Sequence, residues 1–491
     1  MTGELLTLVL VRLEWAILVY FLAVNGWYLL LLGSAALEMR EYVLSVRGEG
    51  RRHLLGSRVA PRISMLAPAY NEAATIGESV RGLLALYYPD LEVVVVNDGS
   101  RDDTVRLLTE QFQLVPVHPV YPRWMSHQPV RGLYRSRTHP NLLVADKVNG
   151  GKADALNAGL NLASGELVCA IDADTLIEPD ALQRLVRPFL RAEGVVAAGG
   201  TIRIANRSVV KGGRVVQARV PHRPVPGFQV VEYLRAFLFG RLGWNRLGGN
   251  LIISGAFGLF RRDAMLAAGG YLHDTVGEDM EMVLRLRRLG FERGGPRRID
   301  FVPDPVAWTE APETLRVLGR QRDRWHRGLA DVLWRHRRVM LNPRYGAMGM
   351  VVFPYFVLVE LLAPLVEALG LVGMVLGLAV GAIDRPFAAL FFLAAYALGA
   401  VLTAFTLVLE ELTFHRYERM RDRALLVAWA LLENVGYRQL TVAWRLQGLW
   451  KYLRGRRDWG AMERRGFGTA QAAPAASPAA ARQDGGARAA G

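Results

Sequence analysis

From Trp15 to Leu37 the chain carries no charged side chain. A run of that length spans a bilayer as a helix, the one single-segment structure that satisfies its own backbone in hydrocarbon. Arg12 and Glu14 precede it, while Arg40, Arg47, Arg51 and Arg52 follow. That basic excess places residue 38 onward on the cytoplasmic side. A cleaved signal peptide is the alternative, but the run is too long and ends without a small-residue cleavage site. Residues 1–13 form a short segment ahead of this 15–37 transmembrane helix. The chain turns apolar again at Ala347. Residues 347–381 carry Pro354, Pro364, Glu360 and Glu367, and fit one kinked span or two short ones. Residues 386–409 form a clean span, so 347–410 is expected to cross about twice. Residues 424–450 are interrupted by Glu433, Asn434, Arg438, Gln439 and Arg445. Basic flanks on both sides keep their ends cytoplasmic, which makes 411–460 an interfacial or re-entrant helical region. Residues 468–491, rich in Ala, Gly and Pro, read as a disordered tail.

Between these apolar parts, 60–345 reads as a soluble α/β domain. Ile63–Ala67 is a strand, 74–86 a helix, Leu91–Val96 a strand broken by Asn97-Asp98-Gly99-Ser100, and Thr104 opens a helix. Strand–helix alternation indicates a parallel sheet with crossover helices. Residues 113–145 read as a loop excursion with one short strand at 142–144. A helix opens at Gly150-Gly151-Lys152 and ends near Gly165. Further strands are expected at Val168–Ile171, Val195–Ala198 and Ile252–Phe260, and a loop over 205–226. Helices are expected at 228–240, from Gly277, and around Gln321–Trp325.

The formal net charge is +15, with only four Lys. Two of these, Lys147 and Lys152, lie close together. A nucleic-acid binder would interleave its Arg clusters with aromatics on one soluble face. The basic residues here instead gather beside the apolar segments and the acidic motifs, so nucleic acid is not an expected partner. The single Cys, Cys169, excludes an intramolecular disulfide and a Cys-based zinc site.

The acidic residues are placed with more order than composition alone requires. Asp172 and Asp174 follow Val168–Ile171, at the strand end where open α/β sheets place ligands. Carboxylates at i and i+2 can both turn toward Mg2+ or Mn2+, hard ions that complete their shells with diphosphate oxygens and water. Alone, such a pair is most often a solvated turn. Glu72 and Asp98, however, also close predicted strands. In a parallel sheet all of them meet at one edge. Gln321, Arg324 and Trp325, at i, i+3 and i+4, share one helix face.

The segments Pro68-Ala69-Tyr70-Asn71-Glu72, Asn97-Asp98-Gly99-Ser100, Gly151–Asn157, Asp172-Ala173-Asp174, Gly277-Glu278-Asp279 and Gln321-Arg322-Asp323-Arg324-Trp325 together resemble the membrane-embedded family 2 glycosyltransferases. Cellulose, hyaluronan and poly-N-acetylglucosamine synthases belong to that family. The resemblance implies a glycosyltransferase A fold, a Rossmann-like mixed sheet flanked by helices, with transmembrane helices before and after it. It implies inverting, metal-dependent, processive β-transfer from a UDP-sugar, UDP-N-acetylglucosamine or UDP-glucose, to a growing glycan. The alternative is single-sugar transfer to a membrane lipid.

The same resemblance assigns roles. Donor contacts are Ala69, Glu72, Asp98, Lys152, Asp172, Gln321 and Arg324, with Glu72 and Asp98 on the uridine and Arg324 on the diphosphate. Asp172 and Asp174 hold Mg2+ or Mn2+, Asp174 as the main ligand. Asp279 is the general base, chosen over its neighbour Glu278 by family precedent alone. Ser254, Glu278 and Trp325 are acceptor contacts, Trp325 by stacking on a pyranose face. Ser254-Gly255-Ala256 matches the family's acceptor-end loop but has no Cys there. The expected setting is the inner (plasma) membrane, multi-pass, with membrane lipids around it and the catalytic domain cytoplasmic.

Overall fold

The computed structural model describes residues 2–48, 60–172, 175–295 and 297–456. Among the described residues twelve strands run in chain order as β1 (Ile63–Ala69), β2 (Leu91–Asn97), β3 (Leu114–Val117), β4 (Val130–Ser136), β5 (Leu142–Lys147), β6 (Leu167–Ile171), β7 (Leu176–Ile177), β8 (Val195–Ile204), β9 (Val209–Lys211), β10 (Arg214–Gln217), β11 (Phe257–Arg261) and β12 (Arg298–Thr309). Ten of them form one sheet, ordered β3-β4-β5-β2-β1-β6-β11-β8-β12-β7. β5, β2, β1 and β6 are mutually parallel, and β11 runs antiparallel between β6 and β8. The sheet is therefore mixed, as a glycosyltransferase A fold requires.

β2, Leu-Glu-Val-Val-Val-Val-Asn, is buried along its whole length. Its β-branched run suits a strand covered on both faces. Helices α1 (Thr2–Gly48), α2 (Ile76–Leu84), α3 (Thr104–Phe112) and α4 (Lys152–Leu162) are followed by the short α5 (Ala181–Leu185) and α6 (Arg187–Arg191). Apolar clusters on the two faces of the sheet form the core, one including Met65, Val93, Val95 and Cys169, the other Leu66, Val94, Val96 and Val168.

Several elements depart from the sequence reading. Residues 113–145 are not one loop: β3 and β4 extend the sheet as antiparallel strands beyond β5. Their burial alternates only weakly, so they lack the apolar run that marks interior strands. The 205–226 loop contains the β9–β10 hairpin. The Ile252–Phe260 strand begins only at Phe257; residues 251–256 run irregularly beside the site. The helix at 228–240 is α7 (Pro224–Leu234) followed by a π-helix, Arg235–Arg241, and α8 (Leu242–Arg246). The helix from Gly150 begins at Lys152 and ends at Leu162 rather than Gly165. β12 has no counterpart among the expected strands.

α9 (Arg262–Ala268), α10 (Glu278–Arg293) and α11 (Leu315–Arg335) lead to the apolar C-terminal half. There, π-helical turns flank α12 (Phe353–Tyr355), and α13 (Ala363–Ala379), α14 (Arg385–Thr413), α15 (Met420–Leu432) and α16 (Tyr437–Leu453) follow. Among the described residues two helices are long and apolar enough to cross a membrane, Thr7–Ser45 and Arg385–Thr413. Met348–Leu361 and Ala363–Ala379, bent by 43° at their junction, make a third when counted as one span. Residues 2–13, read as a separate segment, belong to the same helix as 15–37. The tail at 468–491 lies outside the described residues.

Candidate active site

β2, β1 and β6 are neighbours in register, with Ala69 opposite Asn97. Their C-terminal ends thus bring Glu72, Asp98 and Asp172 to one edge of the sheet, as strand-end placement requires. Between them the chain is cross-tied. Asn71, at φ 56°, accepts from the Arg101 amide at 2.9 Å, and its own amide donates to Ser100 Oγ at 2.9 Å. An Asn tolerates this left-handed conformation better than most residues.

Asp98 is buried and committed inward. Its Oδ1 accepts from the Gly150 amide at 3.0 Å and from the buried Lys147 ammonium; its Oδ2 accepts from the Gly151 amide at 2.7 Å and Asn149 Nδ2 at 3.1 Å. Gly151 sits at φ 91°, a conformation glycine adopts without penalty. That turn makes Lys152 the first residue of α4. Lys147 also pairs with Asp154, so the two neighbouring lysines do different work: Lys147 is a buried tie and Lys152 faces the cavity.

Lys152 Nζ lies 2.6 Å from Asp172 and 3.7 Å from Glu278. Burial works against its charge, but the carboxylates of Asp172, Glu278 and Asp279 outweigh it and hold the ammonium above its ordinary pKa. Glu278, buried at the first turn of α10, is pushed above the usual carboxylate range by burial; Lys152 opposes the shift and Asp279 adds to it. Asp279 is held from two sides. Its Oδ2 accepts from the Gly255 amide at 3.0 Å and its Oδ1 from the Met280 amide at 2.8 Å. A Cβ on Gly255 would lie 3.2 Å from Asp279 Oδ2 and 3.4 Å from Lys152 Nζ.

α11 closes the site from the other side. Gly277, just before α10, and Gly328 of α11 meet backbone to backbone, each Cβ position lying 3.2 Å from the other's Cα. This close approach sets Gln321, Arg324 and Trp325 over the acidic edge. Gln321 is buried, and its Oε1 accepts no hydrogen bond among the described residues. Trp325 is 42% exposed.

The strand ends, α10 and α11 together enclose one cavity of about 1110 Å3. Ala69, Glu72, Asp98, Lys152, Asp172, Ser254, Glu278, Asp279, Gln321, Arg324 and Trp325 all border it. Asp174 lies outside the described residues. Among the described residues no three His, Cys, Asp or Glu side chains gather as a metal-holding group. Asp172, 26% exposed at its side chain, does present a hard oxygen donor to the cavity, which fits Mg2+ or Mn2+.

The cavity extends past these residues to groups the sequence did not single out as site residues. Glu232, Tyr233, Phe237 and Arg241 reach it from α7 and the π-helix, and Phe356, Glu360, Thr441 and Arg445 from the apolar half. Burial pulls Arg241 down to about 10, with Asp279 opposing; its guanidinium donates to the Ile252 carbonyl at 2.9 Å. His326 is pulled down to about 3 by burial and by Arg445, so it is neutral at physiological pH. Charged residues inside an apolar segment were the available signal for Glu360 and Arg445. Glu232 and Arg241 carry no such signal, because their role depends on where helices pack.

A family model described as Glycosyl transferase family 2 matches residues 64–266, and one described as Glycosyl transferase family group 2 matches residues 167–404. The chain is 30% identical over 273 residues to a poly-beta-1,6-N-acetyl-D-glucosamine synthase of Staphylococcus epidermidis, covering 56% of each chain. It is 28% identical over 297 residues to the enzyme of that name from Staphylococcus aureus (strain COL), covering 60% of each. The chain thus spans little more than half the length of the curated relatives it matches. A mannosyltransferase from Pyrobaculum calidifontis, solved with GDP-Man and Mn2+, superposes with a TM-score of 0.50 at 20% identity, over 87% of this chain and 99% of that one. That likeness concerns the fold.

Proposed function

Because the chain belongs to glycosyl transferase family 2, we propose that it is an inverting, metal-dependent, processive β-glycosyltransferase. It builds a polysaccharide at the membrane from a UDP-sugar, UDP-N-acetylglucosamine or UDP-glucose. The observation that carries this reading is the continuity of the cavity. It runs from the strand ends at Ala69 and Glu72, past Lys152 and Asp279, to Trp325, and on to Glu360 and Arg445 of the apolar half. A donor pocket, a base and an acceptor platform in one continuous space that reaches the apolar C-terminal half suit a growing chain that leaves by the membrane side.

In this reading the uridine lies against Ala69 and Glu72. Asp98 acts one step back, since its oxygens hold the turn that presents Lys152. Lys152 and Arg324 meet the diphosphate, the guanidinium offering a fork matched to two phosphate oxygens. Asp172 and Asp174 would hold the Mg2+ or Mn2+ ion, which neutralises charge on the departing diphosphate when bound. Ser254, Glu278 and Trp325 border the acceptor sugar. Its hydroxyl loses a proton to Asp279, and the freed oxygen bonds to the anomeric carbon from the face opposite the UDP. The bond from that carbon to the diphosphate breaks, and UDP leaves with the electron pair. Two amides fix the Asp279 carboxylate for this step, so its position is set before substrate arrives. The basic flanks of the apolar segments support a catalytic domain at the cytoplasmic face of the inner membrane.

The test is UDP release by detergent-purified protein with Mg2+ or Mn2+ across UDP-sugars and GDP-mannose, with labelled product sized. Turnover of UDP-N-acetylglucosamine or UDP-glucose with high-mass product is expected. A single-sugar, lipid-soluble product would move the assignment to a glycolipid-forming transferase, and turnover of GDP-mannose alone would overturn the donor.

A further inference from the structure

Trp325 has two ring faces, and the protein covers one of them. The Arg322 guanidinium, from the same helix, lies 4.5 Å from the Trp325 ring centroid. Arg322 is only 5% exposed, whereas Trp325 is 42% exposed and borders the cavity. Arg322 NH2 donates to Glu232 Oε2 at 2.7 Å, and the Tyr437 hydroxyl donates to the same oxygen at 2.7 Å. Glu232 belongs to α7 and Tyr437 opens α16. Three helices thus converge on one carboxylate oxygen behind the Trp325 ring.

Burying a guanidinium is costly even when it is paired, and a Leu or Met would cover the ring with comparable apolar area. What the guanidinium adds is planarity and charge. A guanidinium is a flat cation suited to the face of an aromatic ring, and here its NH2 is held by Glu232. The indole is then held in one orientation, with its second face left for a ligand. α16 is well placed to feel that orientation: Gly448 packs so closely on α11 that a Cβ there would lie 2.6 Å from the Asp323 carbonyl oxygen.

Resting on the reading of Trp325 as the acceptor platform, we propose that Arg322 is a positioning residue. Held by Glu232 and Tyr437, it fixes the Trp325 ring so that one face alone receives the acceptor sugar, and thereby governs how long the product stays engaged. The ligand class on the open face is a pyranose ring presenting its apolar C–H side.

The test uses the full-length protein in lipid nanodiscs, with R322M, R322K, E232Q and W325A compared for donor KM, acceptor-oligosaccharide KM, donor hydrolysis without acceptor, and product length. R322M is expected to raise the acceptor KM about tenfold, the scale of one desolvated stacking contact, and to shorten the product. Donor KM and hydrolysis stay as in the parent. R322K, which retains the charge toward Glu232 but not the plane, should show the same change to a smaller degree and secures the result if R322M folds poorly. E232Q should follow R322M in direction. If W325A raises the acceptor KM while folded R322M and R322K leave it unchanged, the positioning role is overturned and the platform stands. If W325A leaves the acceptor KM unchanged, the platform reading itself falls. An equal rise in donor and acceptor KM in R322M would also overturn the proposal, since it would mark general disturbance of the helix.

Discussion

The amide of Gly255 donates to Asp279 Oδ2 at 3.0 Å, tying the irregular stretch before β11 to the first turn of α10. The hydrogen bond needs the backbone of residue 255 close to the carboxylate, and a glycine permits that approach. A Cβ added there meets Asp279 Oδ2 at 3.2 Å and Lys152 Nζ at 3.4 Å. Gly255→Ala is therefore expected to lower kcat about tenfold through displacement of the reacting carboxylate, with little change in melting temperature. Steady-state kinetics beside a thermal melt checks this.

Lys152 stands among three carboxylates, touching Asp172 at 2.6 Å. Lys152→Met leaves Asp172, Glu278 and Asp279 without their shared cation and the diphosphate without an ammonium. The donor KM should rise about tenfold to a hundredfold, each factor of ten corresponding to roughly 1.4 kcal/mol. The acceptor KM should move far less. Titration with UDP, which needs no turnover, checks the binding part separately.

Glu278 carries a pH signature. Its carboxyl is raised in the folded protein above the ordinary 4.5, chiefly by burial. A carboxyl raised on folding favours the protonated state, so stability falls as pH climbs from the unfolded value through the folded one. Glu278→Gln removes a group that binds protons more tightly when folded. The variant is expected to melt higher than the parent at pH 7, and to show a flatter melting temperature against pH above 4.5. Melting curves over pH 4 to 8 decide it, the window chosen to bracket the ordinary value.

Arg203 of β8 and Glu410 near the end of α14 form an ion pair in which both side chains are almost fully buried. Arg203 also faces the rings of Trp308, Phe414 and Tyr417. This pair joins the catalytic sheet to an apolar helix. Glu410→Gln leaves a buried guanidinium without its counter-charge and should destabilise the protein by about 3 kcal/mol or more. The kcat of the folded fraction should change little. A denaturation midpoint and an activity measurement on the same preparation separate the two.

The sequence made the interior of the sheet legible, because β1, β2 and β6 are short apolar runs that end in acidic turns. That pattern leaves few places for Glu72, Asp98 and Asp172 except one edge. β3 and β4 stayed hidden, since half-exposed strands such as Val130–Ser136 carry charge and Gly in place of an apolar run. β12 was missed for a related reason: Pro303 and Pro305 interrupt it, and Pro within a run argues against a strand. The π-helix at Arg235–Arg241 has no periodicity of its own to read. Within the site, single motifs pointed to residues, but the inward commitment of Asp98 depends on Asn149 and two glycine amides. The convergence of Glu232, Arg322 and Tyr437 joins positions far apart in the chain. Such arrangements are set by packing, which a local pattern does not contain.

In the proposed glycosyl transfer Asp279 takes the acceptor proton inside this cavity. The most direct measurement is UDP release by purified Asp279→Asn beside the parent, at saturating sugar donor and divalent cation, with UDP affinity measured on both. Asp279→Asn is expected to lose about a thousandfold in kcat, within the range for removing a general base, at unchanged UDP affinity. Turnover within a few-fold of the parent, or a variant that fails through lost UDP binding, would contradict it.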